Sequence, residues 1–185
     1  MVSVASRQAM TADEIDQLPD DGLLRELVHG ELREWMSPDP EHGQIEGDLY
    51  GELRTFIQPR KLGVLMVGEV RFFIDGDQQH YRLADVAFVA AGKYPGGRAP
   101  RKADATTPDF VAEIISASDP AWMVQEKMGD WIAAGARLIW LVYPGSRQVI
   151  VAHPDGTMRT VPHTGMLDGG DVFPGLELPV SSFLP

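Results

Sequence analysis

Two short apolar runs, Val86 to Ala91 and Phe110 to Ile115, constrain this chain more than any other feature, because each reads as a strand buried on both faces and each carries one carboxylate. Asp85 stands at the start of the first run and Glu113 inside the second. An acid in a buried strand is costly unless a cation meets it. The helix expected after the second run carries Lys127 beside its apolar stripe, so one lysine and two acids can converge at one end of a sheet. Such a convergence is a candidate metal and phosphate site.

The rest of the chain reads as the frame for that stretch. Thr11 to Leu18 has a capping-box pattern, with Glu14 three positions after Thr11, for a short helix that Pro19 stops, and residues 1–22 read as a helical arm packed on the domain. Leu24 to Met36 reads as two strands joined around His29 and Gly30, with Glu26 and Glu31 on them. From Pro40 to Ile57 the apolar positions Ile45, Leu49, Leu53, Phe56 and Ile57 have helical spacing, Pro59 is expected to end the helix, and His42 falls on its buried side. Val64 to Val67 and Val70 to Ile74 form a strand or a strand pair around Glu69, which reads as an ordinary strand-face charge. The strand from Leu83 follows a Gly- and Asp-rich turn.

Gly92 to Pro108 is a long connection whose prolines and glycines prevent regular structure, and between Gly92 and Ala103 it holds Lys93, Arg98, Arg101 and Lys102 with no acid. This basic loop reads equally as phosphate-contacting or as solvated. Ser118, Asp119 and Pro120 start a helix that Gly135 stops and that buries Val124, Met128, Trp131 and Ile132. Arg137 to Pro144 reads as a third buried strand, Gln148 to Ala152 as its hairpin partner, Thr157 to Val161 as another strand, and residues 165–185 as an irregular tail. Strands before and after a crossover helix imply an α/β (α+β) domain spanning 1–185, a mixed sheet with helices on its faces.

Charge and residue usage narrow the function classes. A net charge of −11 disfavours a general nucleic-acid coating protein, whose affinity comes from neutralising phosphates, but it is compatible with acidic ligands awaiting a divalent cation. There is no cysteine, hence no disulfide framework or thiolate site. No apolar run approaches the roughly 18 residues of a spanning helix, and MVSVASRQAM lacks a secretory apolar core, so a cytoplasmic protein without membrane contact is expected. His29, His80, His153 and His163 show neither HxH nor HExxH spacing, and a GxSxG elbow and a phosphate-binding glycine loop are both absent. Trp122, Trp131 and Trp140 read as core or interface residues.

The segments RELVHGEL, PEHGQI, LADVAFV, PDFVAEIISASDP, EKMGDWIAAGARLIWLVYPGSRQVIV and GDVFPGLELPVSSFL, in that order, resemble the PD-(D/E)XK nuclease superfamily and within it the Uma2 (Uma-two) family of restriction-endonuclease-like proteins. The resemblance implies a restriction-endonuclease-like fold with added N-terminal and C-terminal β-hairpins, Asp85 and Glu113 as ligands of Mg2+ or Mn2+, and Lys127 as the catalytic lysine. Glu26 or His42 would complete the site, although His42 reads equally as a core or capping histidine. The implied activity is metal-dependent hydrolysis of DNA phosphodiester bonds, in which Lys127 orients or deprotonates the attacking water, and the implied assembly is a homodimer with one site per strand. Two positions depart from the pattern. Ala84 replaces the signature proline before the aspartate, and Ile115 occupies the slot two residues after the glutamate where the superfamily's lysine normally sits. Isoleucine cannot serve as a base; the Uma2 family usually carries its lysine on the next helix instead, and the resemblance places Lys127 there. A non-catalytic interaction or regulatory domain of nuclease fold, and a hydrolase of smaller phosphate esters, are alternative readings of the same residues.

Overall fold

The computed structural model describes residues 9–185, so the first eight residues of the expected N-terminal arm lie outside the described residues. In chain order the elements are α1 (Ala12–Ile15), β1 (Leu24–Val28), β2 (Glu31–Trp35), α2 (Pro40–Arg60), β3 (Gly63–Phe73), β4 (Tyr81–Ala90), β5 (Phe110–Ile114), α3 (Ala121–Ala133), β6 (Leu138–Tyr143), β7 (Gln148–Ala152), β8 (Met158–Pro162), β9 (Met166–Gly169) and β10 (Phe173–Pro179). Strand β4 is the hub of an eight-stranded sheet: β3 pairs along one of its edges, while the β1–β2 hairpin and the run β5, β6, β7 and β8 meet its other edge at different levels. Strands β5 and β6 run parallel and the other pairs antiparallel. A parallel pair needs a crossover long enough to return the chain to the same end of the sheet, and α3 is that crossover.

Local chemistry accounts for the turns that hold this order. His29 and Gly30, at φ 51° and 81°, make the two-residue turn of the β1–β2 hairpin, in which both central residues need positive φ. A side chain at Gly30 would also place its Cβ 2.4 Å from that of Ala9, so the position admits only glycine. The sheet buries both faces. On one, Ile45, Leu49, Leu53 and Ile57 of α2 pack on Val86, Phe88, Phe110, Ala112 and Trp140. On the other, Trp131 of α3 packs with Phe72, Val111 and Ile139.

Several elements differ from what the sequence pattern predicts. Residues 165–185 are not an irregular tail: β9 and β10 form a separate antiparallel hairpin, and Phe173, Leu176, Leu178, Val180 and Phe183 seal the α2 side of the core. The Phe173 ring lies 4.8 Å from that of Phe88 and 5.2 Å from that of Phe110. Prolines scattered through this segment hide the strand signal, while burial of its alternate residues enforces the strand. The helix α2 continues past Ile57 with Pro59 inside its last turn, and Lys61 at φ 55° ends it. Strand β4 begins at Tyr81, two residues before Leu83, and β3 is one strand with an interruption in register. The N-cap of α3 is Pro120 without a side-chain cap, because Asp119 turns back to accept the Ser116 N–H at 2.8 Å. Within α3 only Trp131 is fully buried; Val124, Met128 and Ile132 are partly buried against the same cluster.

Candidate active site

The site occupies a wedge along one edge of β4. Strand β1 pairs with that edge only at Leu27–Tyr81, and β5 only from Val86–Ala112 to Phe88–Phe110. Between the two, side chains replace the backbone ladder. Glu26 of β1 accepts the Leu83 N–H at 2.9 Å, and Asp85 of β4 accepts the Ile114 N–H at 2.7 Å. Both carboxylates thereby satisfy buried donors that the diverging strands would otherwise leave orphaned. Asp85 is 8% exposed, a buried acid and not a solvated one at the sheet's edge.

The opposite edge of β4 carries a bulge at the same level. Val67 pairs with Val86 and Val70 with Ala84, so Gly68 and Glu69 together face Asp85 alone. Two residues against one define a bulge, and here it turns Gly68 to φ 90° and Glu69 to φ 45°. The Gly68 N–H, freed from the ladder, donates to Glu46 Oε1 of α2 at 2.7 Å. One turn earlier on that helix, His42 Nε2 stands 3.4 Å from Asp85 Oδ2 without an aligned hydrogen bond. Burial, then Asp85, pushes the Glu46 carboxyl up to about 7 and raises Glu69 as well. Burial lowers the His42 imidazole, but Asp85, Glu46 and Glu69 together raise it above its ordinary value.

On the α3 side of the wedge, Glu113 is held at both oxygens. Its Oε1 accepts from Trp131 Nε1 at 2.7 Å and its Oε2 from Lys127 Nζ at 2.7 Å, the two donors being one helical turn apart. Lys127 Nζ also lies 3.2 Å from Glu26 Oε1. Burial alone would lower the lysine, but Glu113, Glu26 and Asp85 outweigh it and keep the ammonium charged well above its usual range. Burial pushes Glu113 upward and Lys127 opposes that. A firmly charged ammonium orients a water or an anion; it does not remove a proton from one.

A cavity of about 430 Å³ opens onto these groups, lined by Glu26, His42, Glu69, Asp85, Glu113 and Lys127, with Trp35, Met36 and Met123 among its apolar walls. The donor set suits a hard divalent cation: carboxylate oxygens gathered at a crowded acidic spot, with an imidazole nitrogen that has no hydrogen-bond partner among the described residues. No group of three or more His, Cys, Asp or Glu side chains forms a ready metal cage among the described residues. An ion there would complete its shell with water and substrate oxygens, as Mg2+ ordinarily does.

Asp85, Glu113, Lys127, Glu26 and His42 are thus brought together. Lys93, Arg98, Arg101 and Lys102 are not: their loop joins Ala90 to Phe110, the ends of β4 and β5 remote from the wedge. Five residues of extended strand separate Asp85 from Ala90, about 17 Å. Lys93 there pairs with Asp109 at 3.0 Å. The residues that sequence reasoning missed are Glu46, Glu69, Arg82 and the indole of Trp131 as a donor. Glu46 lies four positions after His42, and Gly68-Glu69 interrupts an alternating strand, a local sign of a bulge. Trp131 is core as expected, and so is Trp140, whereas Trp122 is exposed beside the Arg33 guanidinium.

A mixed sheet with a crossover helix, split strands carrying opposed acids and a lysine reaching back from the helix make this a restriction-endonuclease-like α+β fold. A "putative nuclease belonging to DUF820" from Anabaena variabilis shares it, with a TM-score of 0.81 at 18% identity over 95% of this chain and 97% of that one. The family described as "Putative restriction endonuclease", Uma2, matches residues 12–181, and the chain belongs to that family. No curated protein matches the chain. Among the described residues no helix is long and apolar enough to cross a membrane.

Proposed function

We propose that this protein is a metal-dependent endonuclease that hydrolyses DNA phosphodiester bonds in the wedge between β1 and β5. The observation that carries the reading is the convergence of Asp85, Glu113 and Lys127 from three elements on one cavity. Asp85 and Glu113 would hold Mg2+ or Mn2+, which when bound supplies a Lewis acid for the phosphoryl oxygens and an acidified water. Lys127 presents an ammonium to the charge that builds on the phosphoryl group, and Glu26 and Glu113 keep it protonated and aimed. His42 Nε2, without a hydrogen-bond partner among the described residues and lining the same cavity, is the nitrogen that can take a proton from water there. Lys93, Arg98, Arg101 and Lys102 would contact phosphates away from the scissile one, and a homodimer would bring a second site to the second strand.

One observation favours a second reading, a non-catalytic domain of the same fold. Both Glu113 oxygens already accept hydrogen bonds, as a purely structural carboxylate would. Calorimetric titration of Mg2+ separates the two. The nuclease reading expects a bound ion that Glu113→Gln loses. The structural reading expects no ion in the parent protein and a gain in thermal stability in Glu113→Gln. Cleavage of bis(nitrophenyl) phosphate without cleavage of DNA would move the assignment to a hydrolase of smaller phosphate esters.

A further inference from the structure

Resting on the phosphodiesterase reading, we propose that Arg82 is the positioning residue of this site: it locks the Glu26 carboxylate and helix α3 in one register and so sets where Lys127 presents its ammonium. Arg82 is 1% exposed, yet it carries a charge into the sheet and binds three carboxylates at once. Its Nη1 donates to Glu26 Oε2 at 2.8 Å, its Nη2 to Glu126 Oε2 at 2.9 Å and its Nε to Asp130 Oδ2 at 2.6 Å. Glu126 and Asp130 are one turn apart on α3, and Lys127 follows Glu126 directly. Glu26 divides its two oxygens between the cations, Oε2 to Arg82 and Oε1 to Lys127 and the Leu83 N–H. The guanidinium thus ties β4, β1 and α3 together within three residues of Asp85.

Stability alone does not account for an arginine here. Burying a charge is expensive, and well-packed apolar side chains of the same volume commonly serve a fold as well or better. What apolar packing cannot do is fix the rotation of a helix and the orientation of a carboxylate at the same time, which a planar fork of donors does. Arg33 reinforces the arrangement from β2 by pairing with Glu126, and His80 Nε2 lies 3.2 Å from Asp130. A lysine at position 82 keeps the charge but reaches one carboxylate at a time. Glu26 and α3 would then drift relative to each other, and Lys127 with them.

The test uses the full-length protein, a DNA oligonucleotide with Mn2+, and the 1H–15N signal of the Lys127 ammonium, assigned by its loss in Lys127→Gln. In Arg82→Lys that is still cooperatively folded, kcat is expected to fall roughly tenfold to a hundredfold with KM for the oligonucleotide unchanged, and the Lys127 signal to shift or broaden. A lowered melting temperature with kcat and the Lys127 signal both unmoved would overturn the proposal and leave Arg82 a structural residue. If the parent protein cleaves no nucleic acid, the phosphodiesterase reading fails, and the Lys127 signal by itself decides the positioning claim. If Arg82→Lys does not fold, the double variant Glu126→Gln with Asp130→Asn releases α3 while keeping the Arg82–Glu26 pair. It is expected to move the same signal, and an unmoved signal would again overturn the proposal.

Discussion

At the scale of single residues, the wedge separates its acids by the company each keeps. Glu113 and Glu26 pair with cations, although burial still raises Glu113, whereas Glu46 and Glu69 face Asp85 and are raised by burial and by that charge. Glu46 gives a prediction whose sign follows from linkage. Its folded value of about 7 lies above the ordinary value of 4.5, so folding favours the protonated form. The protein therefore loses stability as pH rises from the unfolded value through about 7, and has lost it fully above that. With EDTA present, Glu46→Gln is expected to match the parent protein near pH 4.5 and to exceed it at pH 8 by on the order of 2–3 kcal/mol, since each unit is about 1.4 kcal/mol. The glutamine keeps an oxygen for the Gly68 N–H. Melting curves at the two pH values check this, and a glutamine variant less stable at pH 8 would contradict the charge crowding described above.

The elements show why parts of the structure were readable from the chain and others were not. The β1–β2 hairpin announced itself through His29-Gly30, and α2 through the period of Ile45, Leu49 and Leu53, because both signals are local. Asp85, Glu113 and Lys127 stood out because a charge within or beside an apolar run has few structural explanations. The bulge at Gly68-Glu69 is set by pairing with β4, so its consequence for Glu46 cannot be seen within β3 alone. Arg82 was hidden for the same reason, since its three partners lie on β1 and α3. The C-terminal hairpin was masked by its prolines, yet Phe173 is as buried as the central strands. Phe173→Ala removes a ring packed on Phe88 and Phe110 and is expected to cost about 3–5 kcal/mol in denaturant unfolding. A cost below about 1 kcal/mol would mean that the hairpin is an appendage and no part of the core.

Across the whole molecule, charge and site are arranged in opposition. The carboxylates meet at one end of β4 and β5, and the basic loop caps the other, in a chain with a net charge of −11. On the proposed activity, duplex phosphates approaching the wedge would meet no unpaired Lys or Arg among the described residues that line it, since Arg82 and Lys127 are both engaged with acids. Affinity at the wedge is therefore expected to depend on a divalent ion that reverses the local sign. The most direct measurement is cleavage of DNA by the purified protein with Mg2+ or Mn2+ and with EDTA, in the parent and in Asp85→Ala and Glu113→Ala variants shown to remain folded. Metal-dependent catalysis by Asp85 and Glu113 predicts cleavage that needs the metal and falls on the order of a thousandfold in each variant, the loss of several kcal/mol of charge stabilisation. Cleavage that persists in folded Asp85→Ala, or a parent protein that cleaves neither DNA nor RNA with either metal, would contradict it.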